Sequence, residues 1–187
     1  MDNGASSYHR FLEGDESGLE ELVEAYSDNL IFFINSFMNN LTLSEDLMSD
    51  TFLELILKKP RFVGDSSFKT YLFKIGRNKA FDCLRKQKRT LTLTVPFHNA
   101  ENEISDVISI ENNILKNDQQ KHVNQCLDNI KQEYREVLHL LYFEEMSNES
   151  VSIIMKKSKK QIENLAYRAK LTLKSTLEKE GFVYEEL

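Results

Sequence analysis

The stretch SNESVSIIMKKSKKQIENLAYRAKLTLKSTLE, residues Ser147–Glu178, contains two helix starts in quick succession. Ser147 opens the first, whose inward positions are Val151, Ile154 and Met155. Ser158 opens the second, and Gln161 three residues on completes a capping box, in which each side chain satisfies an otherwise orphaned backbone amide. Ile162, Leu165, Ala166, Ala169, Leu173 and Leu177 then recur at helical spacing, so this helix is predicted to run to about Glu178 with one apolar face. Its outer side carries Lys159, Lys160, Asn164, Tyr167, Arg168 and Lys170. A short helix, a tight turn and a longer helix with a basic outer face predict a helix-turn-helix. The turn at Lys156 and Lys157 lacks the glycine often found there.

Upstream, Val123, Leu127 and Ile130 form one short stripe, and Val137, Leu138, Leu140, Leu141 and Phe143 another. Between 90 and about 118 the periodicity breaks. Thr90–Val95 (TLTLTV) alternates like a strand but has no partner to pair with, and is read as extended linker ahead of Pro96. Before residue 90 the pattern is helical again. Leu19, Leu22, Val23, Tyr26, Leu30, Phe33, Ile34 and Phe37 make one long stripe. Ser44, followed by Glu45 and Asp46, is predicted to start the next helix, with Leu47, Met48, Thr51, Phe52, Leu55 and Ile56 inward and Pro60 as its stop. Phe62–Ser67 reads as a turn, and Phe68, Tyr71, Leu72, Ile75, Ala80, Phe81 and Leu84 carry a further helix towards Arg89. The expectation is an all-α protein: two small helical domains joined by a flexible linker, the second a helix-turn-helix domain.

Only 6 Gly and 2 Pro in 187 residues oppose a turn-rich all-β fold. Cys83 and Cys126 form no CxxC pair, and His9, His98, His122 and His139 are scattered, so neither a disulfide framework nor a metal site is expected. The longest uncharged run, Asn29–Ser44, is 16 residues and polar in part, too short for a membrane span. The first residues lack the basic start and apolar stretch of a signal peptide, so a cytoplasmic location is expected.

A net charge of −6 hides a sharp partition. Residues 1–57 hold 12 acids and one base, whereas residues 58–89 hold 11 bases and two acids. Residues 90–122 carry five acids and two lysines, and residues 156–174 seven bases against Glu163. Two cationic patches separated by an acidic segment fit a protein that meets a polyanion at two places. No glycine-rich phosphate loop, nucleophile motif or metal cluster points to an enzyme, and no cofactor is expected.

The segment RFVGDSSFKTYLFKIGRNKAFDCLRKQKR, Arg61–Arg89, resembles the F-x-G-x-S-x-F-x-T-W-L…I-x-x-N-x-x-x-D-x-L-R pattern of RNA polymerase sigma factors of the extracytoplasmic-function group, within the sigma-70 family. SEDLMSDTFLEL, Ser44–Leu55, is similar to that family's preceding A-E-D-L-x-Q-E-x-F motif, and Ile130–Leu177 to its second DNA-reading domain, with YRAK in place of the usual RAR. The resemblance spans about 8–89 and 123–178. Tyr71 stands where Trp is usual, Ser49 and Asp50 replace Gln and Glu, and Glu163 lies where a small or basic residue is common.

This resemblance implies a division into region 2 at 1–89, a linker at 90–122 and region 4 at 123–187. It implies that Phe62, Gly64, Asp65, Ser66 and Phe68, with Asn78, line a pocket for one flipped base of the minus-ten element, and that Tyr71 supports that loop. Lys74, Arg77, Lys79, Arg85 and Lys88 would hold the strand backbone. Asp46, Asp50 and Glu54 would dock on core RNA polymerase, and Lys159, Lys160, Asn164, Tyr167, Arg168 and Lys170 would read the minus-thirty-five element. The implied partners are core RNA polymerase, promoter DNA and an anti-sigma factor, without membrane insertion. The alternative from another class is a stand-alone helix-turn-helix regulator, which has no need of the basic block Lys58–Arg89.

Overall fold

The computed structural model describes residues 4–60, 67–94 and 125–180, which are helical with no strand among them. The chain divides into two compact units, residues 1–111 and 112–187.

The first unit holds α1 (Ala5–Leu12), α2 (Ser17–Met38), α3 (Leu41–Lys58) and α4 (Phe68–Thr94). The long stripe of α2 packs against the other three helices, and α3 packs on α4. Phe33 lies at the centre, edge-on to Phe37 and 5.2 Å from Phe73 between ring centroids. Gly76 lets α4 come close to α2, since a Cβ there would lie 2.8 Å from a methyl carbon of Leu30. Leu22, Leu30, Ile34, Leu55 and Leu72 are fully buried, each side chain contributing about 1.5–3 kcal/mol relative to exposure.

Three expectations are corrected here. Helix α3 begins at Leu41 rather than Ser44: Asn39 turns the chain with φ 46°, and the Asn40 side chain accepts from the Leu43 amide. Ser44 is buried one turn inside, donating back to the Asn40 carbonyl at 2.8 Å. The segment read as an extended linker is helical through Thr94. A lone strand leaves its backbone unpaired, whereas continuing α4 keeps the i to i−4 bonds, and the Thr90 hydroxyl also donates to the Lys86 carbonyl. Val23 is exposed, at the edge of the α2 stripe.

The described residues of the second unit open on a helical turn at 125–128, followed by α5 (Gln132–Leu138), a π-helical turn (His139–Phe143), α6 (Asn148–Met155) and α7 (Lys159–Lys179). Helices α5 and α6 both pack on α7. Val151, Ile154, Met155, Ile162, Ala166, Ala169 and Leu177 are buried as the periodicity predicts. Phe143 is not: the π-helical turn rotates it out of the α5 stripe, where it stacks on His139.

Both caps form. Ser147 accepts from the Ser150 amide, and Ser158 and Gln161 make the reciprocal capping box, with bonds of 3.2 and 2.8 Å. Lys156 takes the place of the missing glycine, with φ 55° in the left-handed region. Lys157 anchors the turn to Glu133 at the start of α5, 2.7 Å away.

Candidate nucleic-acid interface

Successive residues of an α-helix turn by about 100°, which sorts the side chains of α4 into faces. Phe68, Leu72, Phe73, Gly76 and Ala80 are buried against α2 and α3. On the opposite side, Tyr71, Lys74, Asn78, Phe81, Arg85 and Lys88 fall in one stripe about 100° wide, an aromatic, amide and cationic surface partly or fully open to solvent. Among the described residues the Asn78 amide has no hydrogen-bond partner. Arg77 borders this stripe with its guanidinium 4.4 Å from the Phe81 ring centroid, and Arg85 pairs with Asp82.

Two residues assigned to this surface belong elsewhere. Phe68 is fully buried between Tyr8 and Tyr26, at ring-centroid distances of 4.9 and 6.1 Å, and serves as core at the α4 N-terminus. Lys79 projects from the flank of α4 towards α3, where its Nζ lies 3.0 Å from a carboxylate oxygen of Glu54. Phe62, Gly64, Asp65 and Ser66, expected in the base pocket, lie outside the described residues. The residues just before them are described. The buried Tyr8 hydroxyl donates to the Pro60 carbonyl at 2.8 Å, and Lys59 sits over the Phe11 ring. Burial, with Tyr71 nearby, pushes the Tyr8 hydroxyl up to about 12. Tyr71 is raised as well, by burial and by the Glu54 charge.

Helix α3 also sorts by angle. Asp46, Asp50 and Glu54 are four residues apart, but each such step precesses by about 40°, so the row winds round the helix. Asp46 and Asp50 are exposed, whereas Glu54 has turned towards α4 and is gripped by Lys58 at 2.7 Å and Lys79 at 3.0 Å. These two lysines, Lys58 first, hold its carboxyl below the ordinary glutamate range. The outward face of α3 is completed instead by Leu53 and Leu57, which are 48% and 75% exposed. Sequence reading passed over them; the signal was two leucines lying off the Leu47–Thr51–Leu55 stripe, at seven and eleven residues from Asp46.

In the second unit, Lys160, Asn164, Tyr167 and Arg168 all lie on exposed positions of α7, opposite Ile162, Ala166 and Ala169. Tyr167 is 65% exposed. Arg168 makes no ion pair among the described residues. The other two expected contacts sit at the edge of this face and have intramolecular partners: Lys159 pairs with Glu149 of α6, and the Lys170 ammonium lies 4.6 Å from the centroid of the Tyr142 ring. The Glu149 carboxyl is accordingly held low and the Lys159 ammonium high. His139 lies 3.3 Å from the buried Glu144, within the π-helical turn and its C-cap. Among the described residues no cluster could hold a metal ion, and no helix is long and apolar enough to cross a membrane.

Residues 22–90 match the family model for sigma-70 region 2. Over 162 residues, 84% of this chain and 93% of the relative, the sequence is 26% identical to the ECF RNA polymerase sigma factor SigM of Bacillus subtilis. It is 23% identical to the RNA polymerase sigma-H factor of Pseudomonas aeruginosa, covering 90% of this chain and 91% of that one. Among solved structures the fold is similar to CnrH in complex with the cytosolic domain of CnrY, with TM-score 0.69, 22% identity and coverage of 95% and 98%. It is also similar to the sigma factor RpoE in complex with the anti-sigma factor NepR from Bartonella quintana, with TM-score 0.66, 21% identity and coverage of 85% and 96%.

Proposed function

We propose how this chain, a member of the extracytoplasmic-function group of the sigma-70 family of RNA polymerase sigma factors, performs promoter-directed transcription initiation with the surfaces described above. It binds core RNA polymerase and promoter DNA, and supplies recognition rather than chemistry, in keeping with a cytoplasmic location. The observation that carries the assignment of surfaces is the α4 stripe, which sets Tyr71, Lys74, Asn78, Arg85 and Lys88 on one open face within the segment matching sigma-70 region 2.

Melting a promoter requires a surface that holds phosphates, stacks exposed bases and recognises a base edge freed from its partner. Lys74, Arg77, Arg85 and Lys88 supply the cations, Tyr71 and Phe81 the aromatic faces, and Asn78 both a donor and an acceptor for one base. Phe62, Gly64, Asp65 and Ser66 are assigned to the same pocket by resemblance. Region 2 runs through the end of α4 at Thr94, past the boundary at 89 expected from the resemblance, and residues 123–187 act as region 4. On α7, Asn164 and Arg168 read base edges of the minus-thirty-five element, while Lys160 and Tyr167 hold its backbone. Lys159 and Lys170, already engaged by Glu149 and Tyr142, lie at the rim of that contact.

Core polymerase docks on α3 through Asp46 and Asp50 with Leu53 and Leu57, so that carboxylates pair with basic residues of the enzyme around an apolar centre. An anti-sigma factor holds the chain in reserve, as the solved relative RpoE is held by NepR.

The test is to mix the purified chain with bacterial core polymerase and genomic DNA fragments and to sequence the transcripts. Initiation at a discrete promoter set is expected. Tight sequence-specific duplex binding by the chain alone, without association with core enzyme, would overturn the reading in favour of a stand-alone regulator.

A further inference from the structure

Glu54 lies where two surfaces meet, and it contributes to neither directly. Its carboxylate is shared between Lys58, one turn on along α3, and Lys79, which reaches across from α4. The glutamate and Lys79 side chains are 28% and 24% exposed, so this is a partly buried pair that salt screens less than a surface one. Lys58 is 68% exposed and free to swing once released. Lys58 ends α3 and Lys79 belongs to α4, the helix whose outer stripe is cationic.

We propose that Glu54 is a positioning residue that withholds Lys79 and Lys58 from nucleic acid and so weakens the hold of this part of the chain on single-stranded DNA. This rests on the reading of α4 as the strand-holding helix. Each lysine that reaches a phosphate of single-stranded DNA releases about 0.7 counterion, so at about 0.1 M salt one added contact strengthens binding about fivefold and two about 25-fold. Glutamate at this position removes both contacts without altering the reading stripe itself, because Lys79 projects from the flank and not from the face that carries Lys74 and Asn78.

The experiment measures anisotropy of a fluorescein-labelled single-stranded DNA of mixed sequence against the full-length chain over a KCl series, alongside affinity for core polymerase. Glu54→Gln keeps the shape of the side chain and removes the charge. It should tighten DNA binding about fivefold to 25-fold at about 0.1 M salt and steepen the salt slope by about 0.7 to 1.4, with core affinity unchanged. Adding Lys79→Met to it should cancel at least half of the steepening. Lys79→Met alone should leave slope and affinity near wild type, since that lysine is already neutralised, and this arm stands even where Glu54→Gln lowers stability.

A flattened slope in Lys79→Met alone would show that Lys79 is an ordinary strand contact and overturn the proposal. So would Glu54→Gln losing core affinity with an unchanged DNA slope, which would make Glu54 an enzyme contact. If the wild-type chain fails to direct initiation with core enzyme, the assignment of surfaces falls, yet the anisotropy series still decides the role of Glu54.

Discussion

Replacing Asn78 by alanine separates recognition from folding in a single residue. The amide is half-exposed on the outer stripe of α4 and has no hydrogen-bond partner among the described residues. No hydrogen bond among the described residues is lost with it, and alanine is the better helix former by about 0.5 kcal/mol, so thermal stability should hold or rise slightly. A base flipped from the duplex exposes the edge it uses for pairing, and a side-chain amide meets that edge with two hydrogen bonds. Losing such a bidentate contact costs about 1–3 kcal/mol, a factor of about 5 to 150 in open-complex formation. The loss should fall on one base of the minus-ten element and shrink on a template already mismatched there, because unpairing no longer has to be driven. Permanganate footprinting and run-off transcription on duplex and bubble templates, with core binding measured in parallel, read these quantities. Equal loss on both templates, weakened core binding or a lowered melting temperature would each refute the reasoning and mark Asn78 as structural.

Leu57→Asp places a charge at the centre of the exposed α3 face; since burying one leucine is worth about 1.5–3 kcal/mol, core-polymerase affinity should fall at least tenfold while the isolated chain stays folded. Ser158→Ala removes the cap of α7 and should cost about 1 kcal/mol, seen as a lower melting temperature of the helix-turn-helix unit and weaker duplex binding upstream. Tyr8 gives a pH signature. Its hydroxyl is pushed up from the ordinary value near 10 to about 12, so the stability it confers is complete below about pH 10 and lost as pH rises towards 12. That contribution is at most about 2–3 kcal/mol, and urea midpoints should show the advantage of wild type over Tyr8→Phe shrinking across this window. An advantage that stays constant would place the Tyr8 hydroxyl in contact with water rather than under Pro60.

Much of the helix-turn-helix was legible because its signals are local. Ser147 and Ser158 cap where they stand, Gln161 closes its box three residues away, and Ile162, Ala166 and Ala169 repeat at the helical period. The start of α3 was misread because Ser44 and Asn40 both carry cap chemistry, and only the left-handed turn at Asn39 decides between them. TLTLTV reads as extended linker because six alternating residues ahead of Pro96 carry no helical period, yet helix α4 simply continues through them to Thr94.

Spacing along the chain is enough to specify an all-α fold, the Ser147 and Ser158 caps, the separation of acidic and basic segments and the residue types that could meet a melted promoter. Those properties follow from interactions within a few residues, which spacing records. Tertiary structure alone decided which of those residues remain available. Phe68 is consumed by Tyr8 and Tyr26, Glu54 and Lys79 by each other, and Lys159 by Glu149, while Leu53 and Leu57 are left exposed. Each of these outcomes depends on the small angular difference between residues that share a helix but not a face, and on which helix packs against that face. A row of carboxylates at four-residue steps looks continuous in the sequence, yet it turns by about 40° per step, and after two steps the third has met the basic helix beside it.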